Sequence, residues 1–156
     1  MLVYLGLGSN LGEREDILRL AIDKINERVG EVISLSAFYE TMPDGFVSEH
    51  PFLNAVCGVE TKLEPLEILA QTEAVERELG RNRKSVNRMY QDRTLDIDIL
   101  LVEGCVLYSE VLTIPHPRMH ERLFVLEPLS EIAPEIVHPV LQKTISQLLK
   151  GISGGR

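Results

Sequence analysis

Thr94-Leu95-Asp96-Ile97-Asp98-Ile99-Leu100-Leu101-Val102 is the stretch on which the fold turns. Two-residue alternation puts Leu95, Ile97, Ile99 and Leu101 on one side of a strand, and Asp96, Asp98, Leu100 and Val102 on the other. Working backwards, Pro65 stands where a helix opens. Leu66, Ile68, Leu69, Thr72, Val75 and Leu79 give its buried stripe and Gly80 closes it. Phe52 to Thr61 is an extended run, and so is Val32 to Thr41. The turn-rich Met42 to Pro51 between them is short enough for antiparallel pairing. At the N-terminus the apolar run Leu2 to Leu7 ends in Gly6-Leu7-Gly8-Ser9-Asn10-Leu11-Gly12, which predicts a buried strand turning into a helix. Asn10 is the expected N-cap, with Glu13 three residues on. Ile17, Leu18, Ala21, Ile22, Ile25 and Val29 then recur at helical spacing, and Gly30 is the expected C′ residue.

The order is therefore βαββαβ with the Asp-bearing strand last. It predicts an α+β fold: a ferredoxin-like, mainly antiparallel sheet with helices packed on it, as an αβα sandwich. Extra C-terminal elements are expected after it. Cys105 to Ile114 would add edge strands, Pro117 would start a helix carrying Leu123 to Leu126, and Thr144 to Leu149 reads as a last amphipathic helix. Residues 1–156 form one expected domain, with 151–156 a frayed tail.

Composition narrows the classes. The 156 residues carry 16 Lys plus Arg against 24 Asp plus Glu, a net charge of −8, and 44% are apolar. A chain of this length and apolar content can bury an ordinary core. Its acidity disfavours nonspecific binding to nucleic acid or an anionic membrane. No apolar run approaches the ~20 residues of a bilayer span and the N-terminus lacks a basic lead, so a cytoplasmic protein is expected. Cys57 and Cys105 form no C-x-x-C pair and read as buried reduced thiols.

Against this acidic background, Arg81, Arg83, Lys84, Arg88 and Arg93 place five of the sixteen cations in thirteen residues, opposed only by Asp92. Such a strip is either a solvated loop or a grip for a compact phosphate ester. Asp96 and Asp98 share a strand face with α-carbons about 6–7 Å apart, close enough to share hard divalent cations. The alternative is a polar face turned to water. Mg²⁺ on two aspartates beside arginines on phosphate oxygens is how charge is neutralised in phosphoryl transfer, which tips the balance toward a metal site. Gly6-x-Gly8-x-x-x-Gly12 has the wrong spacing for a dinucleotide fingerprint. His116 and His120 stand four apart, but flanking prolines and the absence of a third ligand argue against zinc and for a histidine that donates to phosphate. Arg122 can join that anion site. Phe52 and Asn54 share a strand face that pairs a flat apolar surface with an amide, which suits a heteroaromatic ring, although a core phenylalanine beside a bonded asparagine is the commoner arrangement; Phe124 is a candidate for the opposite wall.

Taken in order, Gly8-Ser9-Asn10-Leu11-Gly12, Phe38-Tyr39-Glu40-Thr41, Leu53-Asn54-Ala55, Gly80-Arg81-x-Arg83, Arg93-Thr94-Leu95-Asp96-Ile97-Asp98-Ile99 and Pro115-His116-Pro117-Arg118-Met119 resemble the 6-hydroxymethyl-7,8-dihydropterin pyrophosphokinase family of folate synthesis. The resemblance runs from about Val3 to Glu135. It implies transfer of pyrophosphate from ATP, the co-substrate, to the pterin hydroxymethyl group, with AMP released. By the same resemblance Asp96 and Asp98 hold two Mg²⁺, and Arg81 and Arg93 join them as catalytic residues. Arg81, Arg83, Lys84, Arg93, His116 and Arg122 would handle phosphates, while Glu73, Glu76, Ile99 and Thr113 would line the nucleotide. Thr41, Met42, Asp44, Phe52, Asn54 and Phe124 match the pterin pocket, beside Asp96. The implied partners are these two small molecules, with no nucleic acid and no membrane, and the expected state is a monomer. Met89-Tyr90-Gln91-Asp92 stands where the family usually carries tryptophan-glycine-proline, and Met42 and Asp44 replace more familiar proline and apolar residues. Two other classes compete. A ferredoxin-like ligand sensor needs no metal, and an RNA-binding sheet calls for surface aromatics and positive charge.

Overall fold

The first strand suits the centre of the sheet because both its faces can be covered: Val3, Leu5 and Leu7 pack on one side and Tyr4 on the other, where Gly6 and Gly8 follow. In the computed structural model, which describes residues 1–10, 13–41, 51–80 and 95–153, β1 (Leu2–Ser9) pairs antiparallel with β4 (Phe52–Thr61) on one side and β5 (Asp96–Val102) on the other. The edge beyond β4 is shared by β2 (Gly30–Leu35) and β3 (Tyr39–Thr41), so the sheet runs β2-β4-β1-β5 with β3 also on β4. This is the split βαβ arrangement expected of an α+β, ferredoxin-like fold.

Helices α1 (Arg14–Arg28) and α2 (Pro65–Leu79) cover one face. There Leu18, Ala21, Ile25, Ile68 and Val75 pack on Val3, Leu5, Cys57, Val59, Ile97 and Ile99. Each fully buried Leu or Ile contributes about 1.5–3 kcal/mol. The other face carries α3 (Leu123–Ile132) and α4 (Ile145–Ser153), whose Leu126, Leu129, Ile145 and Leu148 close on Tyr4, Val56, Leu100 and Leu101. The helices therefore lie on both sides, as a sandwich requires. No helix among the described residues is long and apolar enough to cross a membrane.

Several local expectations are corrected. The run from Val32 to Thr41 is two strands: the chain breaks at Ser36, whose N–H donates to Val56 O at 2.9 Å while its Oγ accepts Val56 N–H at 3.0 Å. β5 does not alternate to its end. Its register with β1 slips between Tyr4 and Leu5, so Leu100 has no opposite residue and Leu101 joins Leu100 on the α3 side, while Val102 turns back to the α1 side. A bulge of this kind reverses every side chain beyond it. Helix α1 starts at Arg14 with Glu13 before it, and Asn10 is buried at the end of β1 rather than capping. Gly30 follows the C-cap Val29 as the expected C′ residue and at the same time opens β2, without a positive φ. A Cβ there would meet the Glu60 carbonyl, so close backbone approach is what requires glycine. Leu66 points to solvent, off the buried stripe of α2. Cys105 is only half-buried, whereas burial pushes the Cys57 thiol up to about 12. The segment after β5 forms its own two-stranded ladder, β6 (Leu107–Tyr108) with β7 (Thr113–Ile114), rather than extending the main sheet. A 3-10 turn at Met119–Glu121 precedes α3, so the helix begins later than Pro117, and α4 continues through Gly151 to Ser153.

Glu78 on α2 ties the two helices of one face together. Its carboxylate accepts both Arg28 Nη1 and Nη2, at 2.6 and 2.8 Å, and Lys24 Nζ lies at 3.2 Å. The Arg28 hydrogen bonds, helped by Lys24, hold its carboxyl down at about 2 from an ordinary 4.5. A depressed folded-state value means that the ion pair stabilises the fold above pH 4.5 and that this contribution is lost as pH falls toward 2. In urea unfolding, Glu78→Gln should therefore trail wild type at neutral pH, with the gap closing across that acid window. A gap of constant size from pH 7 to pH 2 contradicts the ion-pair account.

Candidate active site

The register of three neighbouring strands, β4, β1 and β5, builds the site. Gly8 of β1 lies opposite Asn54 of β4 on one side and Asp96 of β5 on the other, and Gly6 lies opposite Val56 and Asp98. Residues in register across neighbouring strands point to the same face, so Asn54, Asp96 and Asp98 share the α3 side of the sheet. Two strand spacings, about 10 Å, separate the α-carbons of Asn54 and Asp96. The two glycines leave the floor between them low. A Cβ on Gly8 would come within 2.9 Å of Asn54 Oδ1, and one on Gly6 would touch Leu100. These glycines were legible only as a turn signal, and their service as the floor was missed.

Above this floor lies a cavity of about 430 Å³. Its wall includes Thr41, Phe52 and Asn54 on the β3–β4 side of the glycine floor and Asp96 and Asp98 on the β5 side, with Phe124, Arg118 and Arg122 also on it. Asn54 is nearly fully buried, and its Nδ2 donates to Thr41 Oγ1 at 2.7 Å. That bond fixes the amide, leaving a second N–H and the carbonyl oxygen to offer a ligand. Phe52 sits on β4 and Phe124 in the first turn of α3, so two flat apolar groups come from different layers.

The anionic end is met by nitrogen donors. The guanidinium of Arg122 lies 5.4 Å from the centroid of the Phe124 ring, and its buried Nε has no hydrogen-bond partner among the described residues. A buried donor left unpaired is costly, and an anion in the cavity would satisfy it. His116 is placed by the bulge: its N–H donates to the carbonyl of unpaired Leu100 at 2.9 Å. Its Nδ1 accepts the Arg118 N–H at 3.2 Å, so the neutral ring carries its proton on Nε2. Burial lowers its pKa, Asp98 opposes this, and Arg122 and Arg118 reinforce it. The neutral ring is thus a hydrogen-bond donor rather than a charge. Arg118, which sequence reasoning left out of the site, also sets 3.5 Å from Glu121 through its Nε; its position two residues after His116 was the available signal.

Other expected residues lie apart from the cavity. Glu76 is buried between α2 and β5, where its carboxylate accepts Ile97 N–H at 2.7 Å and so anchors the backbone between the two aspartates. Ile99 is in the core under α1 and α2, Glu73 is exposed on α2, and Thr113 is half-buried in β7. Met42, Asp44, Arg81, Arg83, Lys84 and Arg93 lie outside the described residues, as do the four residues Met89 to Asp92.

Two carboxylates on alternate positions of one strand fit Mg²⁺, which takes one or two carboxylates and fills the rest of its shell with water and phosphate oxygens. No group of three or more His, Cys, Asp or Glu suited to an all-protein metal cage occurs among the described residues. Fold and cavity together make a candidate small-molecule site on a ferredoxin-like sheet, with two aromatic groups and an amide on the same wall as two acids.

Residues 4–134 match the family model of 7,8-dihydro-6-hydroxymethylpterin-pyrophosphokinase. A 2-amino-4-hydroxy-6-hydroxymethyldihydropteridine pyrophosphokinase of Porphyromonas gingivalis is 51% identical over 142 residues, covering 88% of this chain and 94% of that protein. One of the same name from Bacillus subtilis is 41% identical over 136 residues, 86% of this chain and 80% of the relative. Among solved structures, wild-type Plasmodium falciparum HPPK-DHPS with pteroate superposes with a TM-score of 0.78 at 18% identity, covering 98% of this chain and 42% of that one. The chain thus spans less than half the length of that solved protein, and the likeness to it is one of fold. The chain belongs to the 7,8-dihydro-6-hydroxymethylpterin-pyrophosphokinase family.

Proposed function

We propose that this chain transfers the pyrophosphoryl group of ATP to the hydroxymethyl oxygen of 6-hydroxymethyl-7,8-dihydropterin and releases AMP, in folate synthesis. The observation that carries the proposal is the shared cavity, with Phe52 and Asn54 on one side of the glycine floor, Asp96 and Asp98 on the other, and Phe124 on the same wall. A pterin is a flat heteroaromatic ring with a hydrogen-bonding edge. Phe52 and Phe124 offer faces for the ring, and the Asn54 amide, held by Thr41, offers a donor and an acceptor to the edge. Asp96 and Asp98 would hold two Mg²⁺, which when bound supply charge neutralisation on the phosphate oxygens.

The remaining work belongs to side chains of the chain itself. His116 Nε2–H and the Arg122 guanidinium donate to phosphate oxygens, and the neutral imidazole does so without taking up a proton. Arg81, Arg83, Lys84 and Arg93 would complete the phosphate grip, with Arg81 and Arg93 at the reacting phosphate and Glu73, Glu76, Ile99 and Thr113 on the nucleotide side. Met42 and Asp44 would continue the pterin wall from Thr41. The hydroxymethyl oxygen, positioned by the ring walls, attacks the β-phosphorus in line as the bond from that phosphorus to the α-phosphate oxygen breaks and AMP leaves, and the hydroxyl proton passes to water. Holding both reactants in that geometry accounts for much of the barrier reduction, and no side chain need act as a general base. The active species is taken as a cytoplasmic monomer, which sedimentation with both substrates tests; an active dimer contradicts it.

The decisive measurement is AMP formation by the purified protein from ATP and 6-hydroxymethyl-7,8-dihydropterin, with Mg²⁺ and after chelation by EDTA. AMP should appear with both substrates and Mg²⁺ and disappear on chelation. Ligand binding with no AMP formed even when Mg²⁺ is present supports a sensor instead.

A further inference from the structure

The two walls of the cavity come from different layers of the sandwich, and one carboxylate outside the cavity joins them. Thr41, Phe52 and Asn54 belong to β3 and β4, while Phe124 belongs to α3. β3 has three residues and among the described residues its one strand neighbour is β4, so that pairing alone gives it little stiffness. Glu131 stands on α3 seven positions after Phe124. Seven residues make almost two full turns, so the two side chains leave the same side of the helix about 10 Å apart.

The Glu131 carboxylate accepts Ala37 N–H, at 3.0 Å to Oε1 and 3.2 Å to Oε2, and the Tyr39 hydroxyl at 2.8 Å. Ala37 lies in the break between β2 and β3, where Ser36 has already taken the free groups of Val56. Tyr39 is the first residue of β3 and lies opposite Asn54, and Thr41, two residues on, lies opposite Phe52 and accepts the Asn54 amide. Glu131 is thus bonded to the entrance of the strand whose far end orients the amide, and it shares a helix with the opposite aromatic wall. The phenol stays protonated throughout the working range, because its bond to Glu131 holds it up to about 12.

We infer that Glu131 is a positioning residue for the ring substrate: its bonds to Ala37 and Tyr39 lock β3 to α3, setting the gap between the Phe52 and Phe124 walls and the register of Asn54 before substrate arrives. This rests on reading the cavity as the pterin pocket. A preformed gap spares the ordering cost of binding, so its loss should fall on ring affinity rather than on nucleotide affinity or the chemical step.

The test compares Glu131→Ala, Glu131→Gln and Tyr39→Phe with wild type, through KM for each substrate, kcat, and the Kd of 6-hydroxymethylpterin measured by its fluorescence without ATP. Glu131→Ala should raise the pterin KM and Kd about tenfold, with ATP KM and kcat within about twofold. Glu131→Gln, which keeps an oxygen for both donors, should recover to within about threefold of wild type. Tyr39→Phe loses one bond and should lie between; it decides the matter if Glu131→Ala does not fold. Equal rises in both KM values, or an unchanged pterin Kd in folded Glu131→Ala or Tyr39→Phe, overturns the inference. A wild-type protein that binds no hydroxymethylpterin instead overturns the assignment of the pocket, a result distinct from normal wild-type binding with insensitive variants.

Discussion

Asp98→Asn should retain the fold and lose about a thousandfold in AMP formation. The strand is held through its backbone ladder, with Asp98 opposite Gly6 and its neighbours Ile97 and Ile99 in the core, and an amide of the same shape leaves that packing alone. What changes is the charge and hardness of one of two carboxylates facing the phosphate end of the cavity. Mg²⁺ binds oxygen anions, and charge neutralisation on a phosphoryl group is worth several kcal/mol, which at 1.36 kcal/mol per decade gives about three orders of magnitude. His116 offers no second explanation. Asp98 works against the lowering of its pKa, so removing that charge drives the ring further toward the neutral form. AMP release at saturating substrates, with thermal unfolding as the control for folding, reads the result. Wild-type turnover by a folded Asp98→Asn protein would end the metal assignment.

How far such a site can be read from sequence depends on the range of the interactions that make it. The alternation of Asp96, Ile97, Asp98 and Ile99, and the helical stripes of α1 and α2, are local patterns, and they carried the βαββαβ order and the shared face of the two acids. The slip at Leu100 is a property of the pair β1–β5, invisible in either strand alone, and it reverses Leu101 and Val102 while supplying the carbonyl that places His116. The break at Ser36 is likewise made by Val56, twenty residues away. Gly30 was legible as the residue after the α1 cap, but its second duty, room for the Glu60 carbonyl, depends on a partner strand and was not. The floor of the cavity was hidden for a similar reason. Gly6 and Gly8 acquire meaning only when Val56, Asn54, Asp96 and Asp98 lie beside them. Glu76 illustrates the converse: the family resemblance put it at the nucleotide, and its visible bond goes to the backbone of Ile97.

Asn54→Leu should raise the pterin KM about a hundredfold while leaving the ATP KM within about threefold. Leucine has the same branching and number of heavy atoms as asparagine with bulkier methyl ends, so it leaves no void beside the bare floor at Gly8, but every hydrogen bond of the amide is lost. Thr41 Oγ1 then loses the donor it holds at 2.7 Å. A ring whose polar edge is pressed against leucine keeps its desolvation cost without its partner. An unsatisfied buried polar group costs about 1–3 kcal/mol, and the upper end corresponds to a hundredfold in affinity. The expected asymmetry follows from geometry, since Asn54 lies across the glycine floor from Asp96, about two strand spacings from the acids that face phosphate. An interaction made equally with bound substrate and transition state appears in KM and spares kcat. Steady-state kinetics in each substrate, with the other saturating, separates these effects. If ATP KM rises as far as pterin KM, the amide is not the edge-reading group, and the ring end of the cavity has to be sought elsewhere along its wall.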